Sequence, residues 1–267
     1  MRILDKSEYQ LILPVLIENA RTCPTFAYSV AESIIPGVVF VDDLNQPSTV
    51  LIGTNNGIYF IAGNGENTKL NHMFFDFYKQ QTAGSGQRFT LFSATRSWDH
   101  IIRNLLKEEA LQMNRYLYKF NPRKYMEGKK KQLPVGFTIE EISKDTIERS
   151  TNFNNTYYDE YWDGVTNFLK HSFGFCVLYQ GRVVSECTAI FMGQSIVGID
   201  IFTQHEFTGN GLAYILGKAF IDKCLKQGLT PSWDCDVKNV SSLNLANKLG
   251  FENHVEYSIF VRKKELA

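Results

Sequence analysis

The sequence has no excess of charge of either sign. Its 28 lysines and arginines are balanced by 28 aspartates and glutamates. Proteins that bind nucleic acid or an anionic membrane surface usually carry a basic excess, because a positive field attracts phosphates. We therefore expect a small molecule or a peptide as the partner, and no nucleic acid.

Long hydrophobic runs are also missing. No apolar stretch approaches the roughly 18 residues that a membrane-spanning helix requires, and residues 1–8 lack the basic-then-apolar order of a secretory signal. We expect a soluble, cytoplasmic protein that does not bind membranes. Its 267 residues are enough for one large domain or two small ones.

Cysteine is sparse and unpaired. The five cysteines include no Cys-x-x-Cys pair, so neither a disulfide framework nor a zinc site is predicted. Cys176, Cys187 and Cys224 lie in apolar stretches and are predicted to be core residues. Cys235 ends a predicted strand and is a candidate reactive thiol, although packing is the favoured role. We expect free thiols and no metal.

The most informative segment is residues 203–213, a glycine-containing turn between a strand-like and a helix-like run. The predicted strand covers Ser195–Phe202 and the predicted helix Leu212–Gln227. Gly209 and Gly211 permit positive φ and close backbone approach, and the first amides of a helix have no partner inside it. Such amides and the helix dipole favour an anion, so a phosphorylated cofactor is predicted.

A second motif follows about twenty residues later, in residues 233–251. The pattern predicts a strand that ends at Cys235 and a short helix over Ser241–Leu249. Asn239 or Ser241 is the expected cap and Gly250 the expected terminator of this helix. Together the two motifs strengthen the prediction of a cofactor site.

These two segments resemble the GNAT superfamily of acyl-CoA-dependent N-acyltransferases, over about residues 135 to 262. More narrowly, Ile199–Thr203, Trp233–Cys235 and Leu245–Phe251 look like the acetyltransferases grouped with the zwittermicin A resistance protein. The resemblance implies a mixed α/β fold with a mixed sheet and acetyl-CoA as cosubstrate. It also implies these cofactor-binding residues: Ile201, Phe202, Thr203, Thr208, Gly209, Asn210, Gly211, Leu212, Ala213, Asn239 and Ser242.

Three positions depart from the superfamily pattern. Glu206 and Thr208 stand where basic or amide side chains are common, so the loop is expected to rely on backbone amides. Ala246 stands where many members have a tyrosine that protonates the leaving thiolate. A different proton donor is therefore needed, and Ser241, Ser242 and solvent are the candidates, with helix capping the favoured role of both serines.

Acyl transfer to an amine also needs a base. The candidates are Asp200, Glu186 and Asp234, which lie on predicted strands near the expected cleft. Asp200 is the first choice, because a lone acid in an apolar strand is costly unless it is paired or functional. A structural hydrogen bond is the competing explanation. Six aromatic residues on the preceding helices are expected to be mainly core: Phe153, Tyr157, Tyr158, Tyr161, Trp162 and Phe168.

The two halves of the chain repeat one order of predicted elements, which suggests a duplicated fold. The elements include predicted helices over Ser7–Cys23, Lys144–Asn155 and Asp159–His171 and a predicted strand over Gly174–Tyr179. We expect a degenerate GNAT-like domain over residues 1–130 and an acetyl-CoA-binding domain over residues 131–267. The segment 121–134, with three consecutive lysines, is expected to be a solvated linker. Gly63–Gly65 echoes Gly209–Gly211, but its surroundings differ and a simple turn explains it.

The sequence thus predicts an acetyl-CoA-dependent N-acetyltransferase that acts on a small amine, with antibiotics among the candidate acceptors. The competing hypothesis is a non-catalytic acyl-CoA-binding or regulatory protein, which Ala246 and Glu206 favour. The oligomeric state is left open.

Overall fold

The computed structural model describes residues 1–84 and 88–263. The chain forms two compact units, Met1–Leu117 with the segment from Val255 onward, and Tyr118–His254. We expected the division at residue 130. In the structure the predicted linker contains a helix whose Tyr125 is buried in the core of the second unit. The strands Ala110–Phe120 and Phe251–Arg262 each have residues in both units, so residues 255–263 belong to the first unit.

The first unit, called the N-terminal unit below, contains a 3₁₀ helix over Lys6–Ile12, between its first strand and its first α-helix. Its strands and α-helices are, in chain order: β1 (Arg2–Ile3), α1 (Leu13–Glu18), α2 (Thr25–Ala31), β2 (Gly37–Val41), β3 (Thr49–Thr54), β4 (Ile58–Gly63), α3 (Thr68–Thr82), β5 (Thr90–Ser93), α4 (Arg96–Leu106) and β6 (Ala110–Phe120), which ends in the second unit. The sequence predicted one helix over Ser7–Cys23, but Pro14 lacks an N–H group and stands in the first turn of a new helix.

The second unit, called the C-terminal unit, contains the glycine turn of residues 203–213. Its elements follow in chain order: α5 (Pro122–Glu127), β7 (Phe137–Glu141), α6 (Lys144–Arg149), α7 (Asn155–Trp162), α8 (Val165–His171), β8 (Gly174–Tyr179), β9 (Arg182–Gly193), β10 (Ile196–Thr203), α9 (Leu212–Lys226), β11 (Thr230–Asp236), α10 (Val240–Lys248) and β12 (Phe251–Arg262), which ends in the N-terminal unit.

The predicted helices Lys144–Asn155 and Asp159–His171 are three helices in the structure. The first break lies between α6 and α7, where Asn154 caps a new helix by accepting a hydrogen bond from the Tyr157 amide. The second follows α7, where Asp163 and Gly164 have φ angles of 58° and 112°. Such angles cannot continue a right-handed helix.

Each unit is built on a mixed sheet, which confirms the predicted fold class. In the N-terminal unit the strands lie in the order β1-β2-β3-β4-β5-β12-β6, and β4 pairs with β5 in parallel. In the C-terminal unit the order is β12-β6-β11-β10-β9-β8-β7, and β10 pairs with β11 in parallel. Both units repeat the order of three strands, helix, strand, helix, which is the repetition that the sequence predicted.

Helix α9 packs on one face of the C-terminal sheet. Its buried residues recur at helical spacing, as in Leu212, Leu216, Phe220 and Cys224. A cluster of rings and aliphatic side chains from α9, α10 and β11 fills the space between helices and sheet. This packing fixes the start of α9 at the end of β10, where the glycine turn lies.

All five cysteines are free and buried, as expected. Cys235 is 4% exposed and belongs to the core cluster under α9 and α10, so packing accounts for it. Within the described ranges no group of three or more His, Cys, Asp or Glu side chains could hold a metal ion. No helix in residues 1–84 and 88–263 is long and apolar enough to cross a membrane.

Candidate functional site

Strands β10 and β11 begin as a parallel pair and then separate. Their pairing covers Ile196–Gly198 of β10 against Thr230–Ser232 of β11. A register shift on the β9 side falls between Gly198 and Ile199. Beyond Gly198 the two strands, both fully described, have no mutual pairing although each continues for several residues. Alternate residues of β10, including Ile201 and Thr203, point their backbone groups away from β9, and the separation leaves these groups available to an extended ligand.

The glycine turn leads from the end of β10 into α9. Gly211 is the N-cap of α9 with a φ of 78°, and no side chain caps the helix. Gly209 has a φ of 82°, and a Cβ added there would meet no atom within 4 Å. The side chains of Thr208 and Asn210 donate to the carbonyls of His205 and Phe207 and so hold the turn.

The amides of this turn are available to a ligand. Among the described residues, none of the five backbone N–H groups from Gly209 to Ala213 has a hydrogen-bond acceptor. Amides that converge at a helix N-terminus, together with the helix dipole, form an anion site. The turn therefore has the geometry that binds a phosphate group.

A lysine lies beside the same turn. A Cβ added at Gly211 would be 3.4 Å from Nζ of Lys131, and this Nζ is 5.8 Å from the ring centre of Tyr214. The Tyr214 hydroxyl donates to the carbonyl of Lys129 at 2.8 Å, which holds the lysine segment against α9. We expected these lysines to lie in a solvated linker, because nothing in the local pattern reveals a contact with a helix about 80 residues away.

Glu206, the acidic departure from the family pattern, has a partner of its own. Its Oε1 lies 3.6 Å from a guanidinium nitrogen of Arg182. Both side chains are exposed, so the pair adds little to stability. It does, however, offset the negative charge beside the proposed anion site.

Helix α10 follows β11, and its first turn contacts that strand through Ser242 and Trp233. Asn239 caps it, since its Oδ1 accepts from the Ser242 amide at 3.1 Å and from the Ser241 hydroxyl at 2.8 Å. The Ser242 hydroxyl accepts from Nε1 of Trp233 at 3.0 Å, which leaves its own hydrogen for donation. Ala246 is fully buried, and its methyl side chain cannot donate a proton.

Asp200 is half-buried on β10, on the face of the sheet opposite α9. Its Oδ2 accepts a hydrogen bond of 2.9 Å from the hydroxyl of Tyr157 on α7. Burial and the charge of Asp200 raise the pKa of Tyr157 well above its ordinary value. The phenol therefore stays protonated across the physiological range and serves as a fixed donor to the carboxylate.

Glu186 is almost fully buried, with 4% of its surface exposed. Burial raises its pKa to about 7, while a hydrogen bond of 2.7 Å from the Ser150 hydroxyl acts in the opposite direction. The antiparallel register pairs Glu186 with Phe202 and Asp200 with Thr188. Because direct partners and alternate residues share a face, Asp200 and Glu186 lie on the same face of the sheet.

Asp234 is half-buried on β11 between two core residues, Trp233 and Cys235. Strand alternation therefore places it on the face opposite the α9 cluster, the face that also carries Asp200. All three acids selected from the sequence thus share one face of the C-terminal sheet, at the level where β10 and β11 separate.

The aromatic cluster predicted from the sequence covers this face. Tyr158, Trp162 and Phe168 are fully buried, as expected for core residues, whereas Tyr157 and Tyr161 are half-buried. The Tyr157 and Tyr161 rings have centres 4.9 Å apart. The sequence pattern did not distinguish Tyr157 from the other five rings, because its contact with Asp200 spans 43 residues.

A family model and a curated relative both match most of the chain. A family model described as GNAT acetyltransferase matches residues 15–260. A Bacillus subtilis (strain 168) protein named Uncharacterized N-acetyltransferase YdfB is 44% identical over 257 residues, which are 96% of this chain and 97% of that protein.

Solved structures share the fold over nearly the whole chain. A GCN5-related N-acetyltransferase-like protein from Streptococcus suis 89/1591 has a TM-score of 0.71 at 22% identity, covering 96% of this chain and 99% of that one. A tandem GNAT protein from the clavulanic acid biosynthesis pathway, solved without AcCoA, has a TM-score of 0.64 at 10% identity, covering 97% of each chain. At these identities the structures support the fold alone.

Proposed function

Because the chain belongs to the GNAT acetyltransferase family, we propose that it transfers the acetyl group of acetyl-CoA to the primary amine of a small molecule. The observation that carries this proposal is the position of two features in the C-terminal unit. A turn whose five amides have no acceptor among the described residues directly follows the strand edge left open where β10 and β11 separate.

The residues present fit acetyl-CoA. The amides from Gly209 to Ala213 would hold the pyrophosphate, with Thr208 at the start of the turn and Lys131 beside it. The open edge at Ile201–Thr203 would accept the pantetheine arm through backbone hydrogen bonds. Asn239 and Ser242, at the N-terminus of α10, would lie on the other side of the same opening.

The reaction needs few side chains. The bound thioester supplies an electrophilic carbonyl, and a backbone N–H of the open strand would polarise it. Asp200, oriented by Tyr157, would accept the proton from the attacking amine. Glu186 is the second candidate, since a pKa of about 7 lets it change protonation near neutral pH. Asp234 is the third.

The leaving thiolate also needs a proton. Ala246 offers no acid, so the proposal assigns this step to the Ser242 hydroxyl or to water. Ser242 retains a hydrogen for donation because it uses its oxygen to accept from Trp233.

The finer parts of the proposal rest on the sequence alone. They are a cytoplasmic enzyme close to the zwittermicin A resistance-type acetyltransferases, an antibiotic amine as a candidate acceptor, and a degenerate N-terminal GNAT-like domain that does not bind CoA. We keep residues 1–130 and 131–267 as the proposed ancestral halves.

The competing function is non-catalytic acyl-CoA binding, which the buried Ala246 favours. A turnover assay distinguishes the two. The purified chain is incubated with acetyl-CoA and a panel of primary amines that includes aminoglycosides and other amine antibiotics, and products are identified by mass spectrometry alongside thiol release. Acetylation of at least one amine supports the enzyme. CoA binding without any acetylated product across the panel would support the binding protein instead.

A further inference from the structure

The N-terminal unit contains a polar cavity of about 430 Å³. This volume lies in the range of about 300 to 1,000 Å³ that is typical of small-molecule sites. Its walls come from the start of α4 and from the parts of β6 and β12 that belong to this unit. It is separate from the proposed acetyl-CoA site, which lies wholly in the C-terminal unit.

One wall of the cavity is anionic and buried. Asp99 is 9% exposed, and its Oδ2 accepts a hydrogen bond of 2.8 Å from Ser258, which in turn accepts from Gln112 at 2.9 Å. Its Oδ1 has no hydrogen-bond partner within the described residues. A buried carboxylate with a single neutral donor is costly, and a cationic or N–H-bearing group nearby would lower that cost.

Two arginines lie on another part of the cavity. Arg103 uses Nε to donate to the main-chain carbonyl of Asp99 at 3.2 Å. Its two terminal nitrogens have no partner in the part of the chain that the structure describes, and neither has the guanidinium of Arg96. A guanidinium with open N–H groups is suited to bind a carboxylate through two parallel hydrogen bonds.

We propose that this cavity binds a free α-amino acid, with the ammonium group toward Asp99 and the carboxylate toward Arg103. A simple anion would meet Asp99 and Glu256, and a simple cation would meet two arginines. A zwitterion satisfies both walls at once. The amides of Gln112 and Asn114 complete a polar lining suited to a polar side chain.

The test uses the full-length protein and the twenty L-amino acids, first by thermal shift and then by calorimetry for those that raise Tm. We expect at least one amino acid to bind. Its decarboxylated amine and its deaminated acid should each bind at least about tenfold more weakly, because each loses one charge-assisted contact.

Variants locate the site. Arg103→Gln should reduce the affinity for the amino acid about tenfold or more. Lys69 is an exposed lysine on α3 outside the cavity, so Lys69→Gln should leave this affinity unchanged. Asp99→Asn should also reduce this affinity, but replacing a buried residue can disturb the fold. Arg103 is exposed, so Arg103→Gln is the decisive variant. CoA affinity should be unchanged in Arg103→Gln, which keeps this test separate from that of the proposed function. Failure of every L-amino acid to bind, or wild-type affinity in Arg103→Gln, would overturn the proposal.

Discussion

The two units contain the same strand-to-helix turn, Gly-Asn-Gly, with opposite consequences for its backbone. In the N-terminal unit the turn is closed by its own surroundings. The Asn64 amide donates to Ser48 O, the Glu66 amide donates to the Asn64 side chain, and the Gly63 carbonyl accepts from Trp98. A Cβ at Gly63 would lie 2.0 Å from Ser48 O. The three residues serve the fold.

In the C-terminal unit the equivalent turn is open. Gly209 has empty space around it, and the amides up to Ala213 have no acceptor within the described chain. The start of the following helix differs as well. Asn67 caps α3 by accepting from the Leu70 amide, whereas no side chain caps α9. The same motif is thus structural where its amides are used internally and suited to a ligand where they are not.

The parallel strands beside the two turns differ in the same sense. In the N-terminal unit all four residues of β5 pair with Ile58–Ile61 of β4. In the C-terminal unit only three pairs form before β10 and β11 separate. A closed pair of strands leaves no edge for a pantetheine arm. From this contrast we expect a cofactor site where two local features, open amides and an open edge, occur together.

The largest effect is expected from closing the open turn. Gly211→Val should reduce CoA affinity at least about a hundredfold, because a β-branched residue disfavours a φ of 78° and moves the amides of the turn. Calorimetry measures the effect. Gly228→Val is the matched control, since Gly228 follows α9 with a φ of 70° and has no atom near its added Cβ. Equal CoA affinity in folded Gly211→Val and wild type would remove the turn from the site.

Asp200→Asn tests a second difference, since β4 has no carboxylate among its residues Ile58–Gly63. The variant keeps the shape of the side chain and loses the base, so turnover should fall about a hundredfold while CoA affinity is retained. Rates are measured over pH 6 to 9, with Tyr157→Phe alongside to separate positioning from proton transfer. Wild-type rates in Asp200→Asn would make Asp200 structural and transfer the role to Glu186 or Asp234.

The raised pKa of Glu186 predicts that the stability of the protein depends on pH. This pKa is about 7 in the folded protein and 4.5 in the unfolded chain, so the folded state binds the proton more tightly. The free energy of unfolding therefore falls as the pH rises from about 4.5 to about 7. Glu186→Gln should therefore gain stability relative to wild type between pH 4 and pH 8, by on the order of 3 kcal/mol. Urea unfolding at several pH values measures the difference. A difference independent of pH would show that the carboxyl group does not have a raised pKa.

Lys131 should contribute a smaller amount to cofactor binding. Replacing this exposed lysine by alanine removes one charge near the pyrophosphate position, so CoA affinity should fall about threefold at low salt. Lys130→Ala is the matched control on the neighbouring residue. If the two variants weaken CoA equally, the effect is one of general charge and not of the position of Lys131.

The last prediction concerns the number of CoA molecules that bind per chain. One CoA should bind per chain, because only the C-terminal unit combines the open turn with the open edge. Titration of the full-length protein measures the stoichiometry. Binding of two CoA molecules per chain would contradict the difference between the two turns and make Gly63–Gly65 a candidate binding site.

Much of the fold could be predicted from the sequence. The strand Gly174–Tyr179 and the start of α9 at Leu212 were predicted at the residues where they occur. Both depend on local information, namely apolar periodicity, glycine turns and caps. The errors also have local causes, such as Pro14, which begins a new helix within the predicted Ser7–Cys23. The predicted acids share one face of the sheet, but their roles stay predictions.

The sequence by itself determined the order of elements, the free cysteines and the family, because these follow from short-range patterns. The tertiary structure decided which Gly-Asn-Gly turn is closed, since the Ser48 carbonyl accepts from the Asn64 amide and the Trp98 indole donates to the Gly63 carbonyl, and both partners lie 15 or more residues from the turn. It also decided the partners of Asp200, the position of Lys131 and the existence of the polar cavity. Each of these depends on contacts between residues far apart in the chain, and only packing brings such residues together.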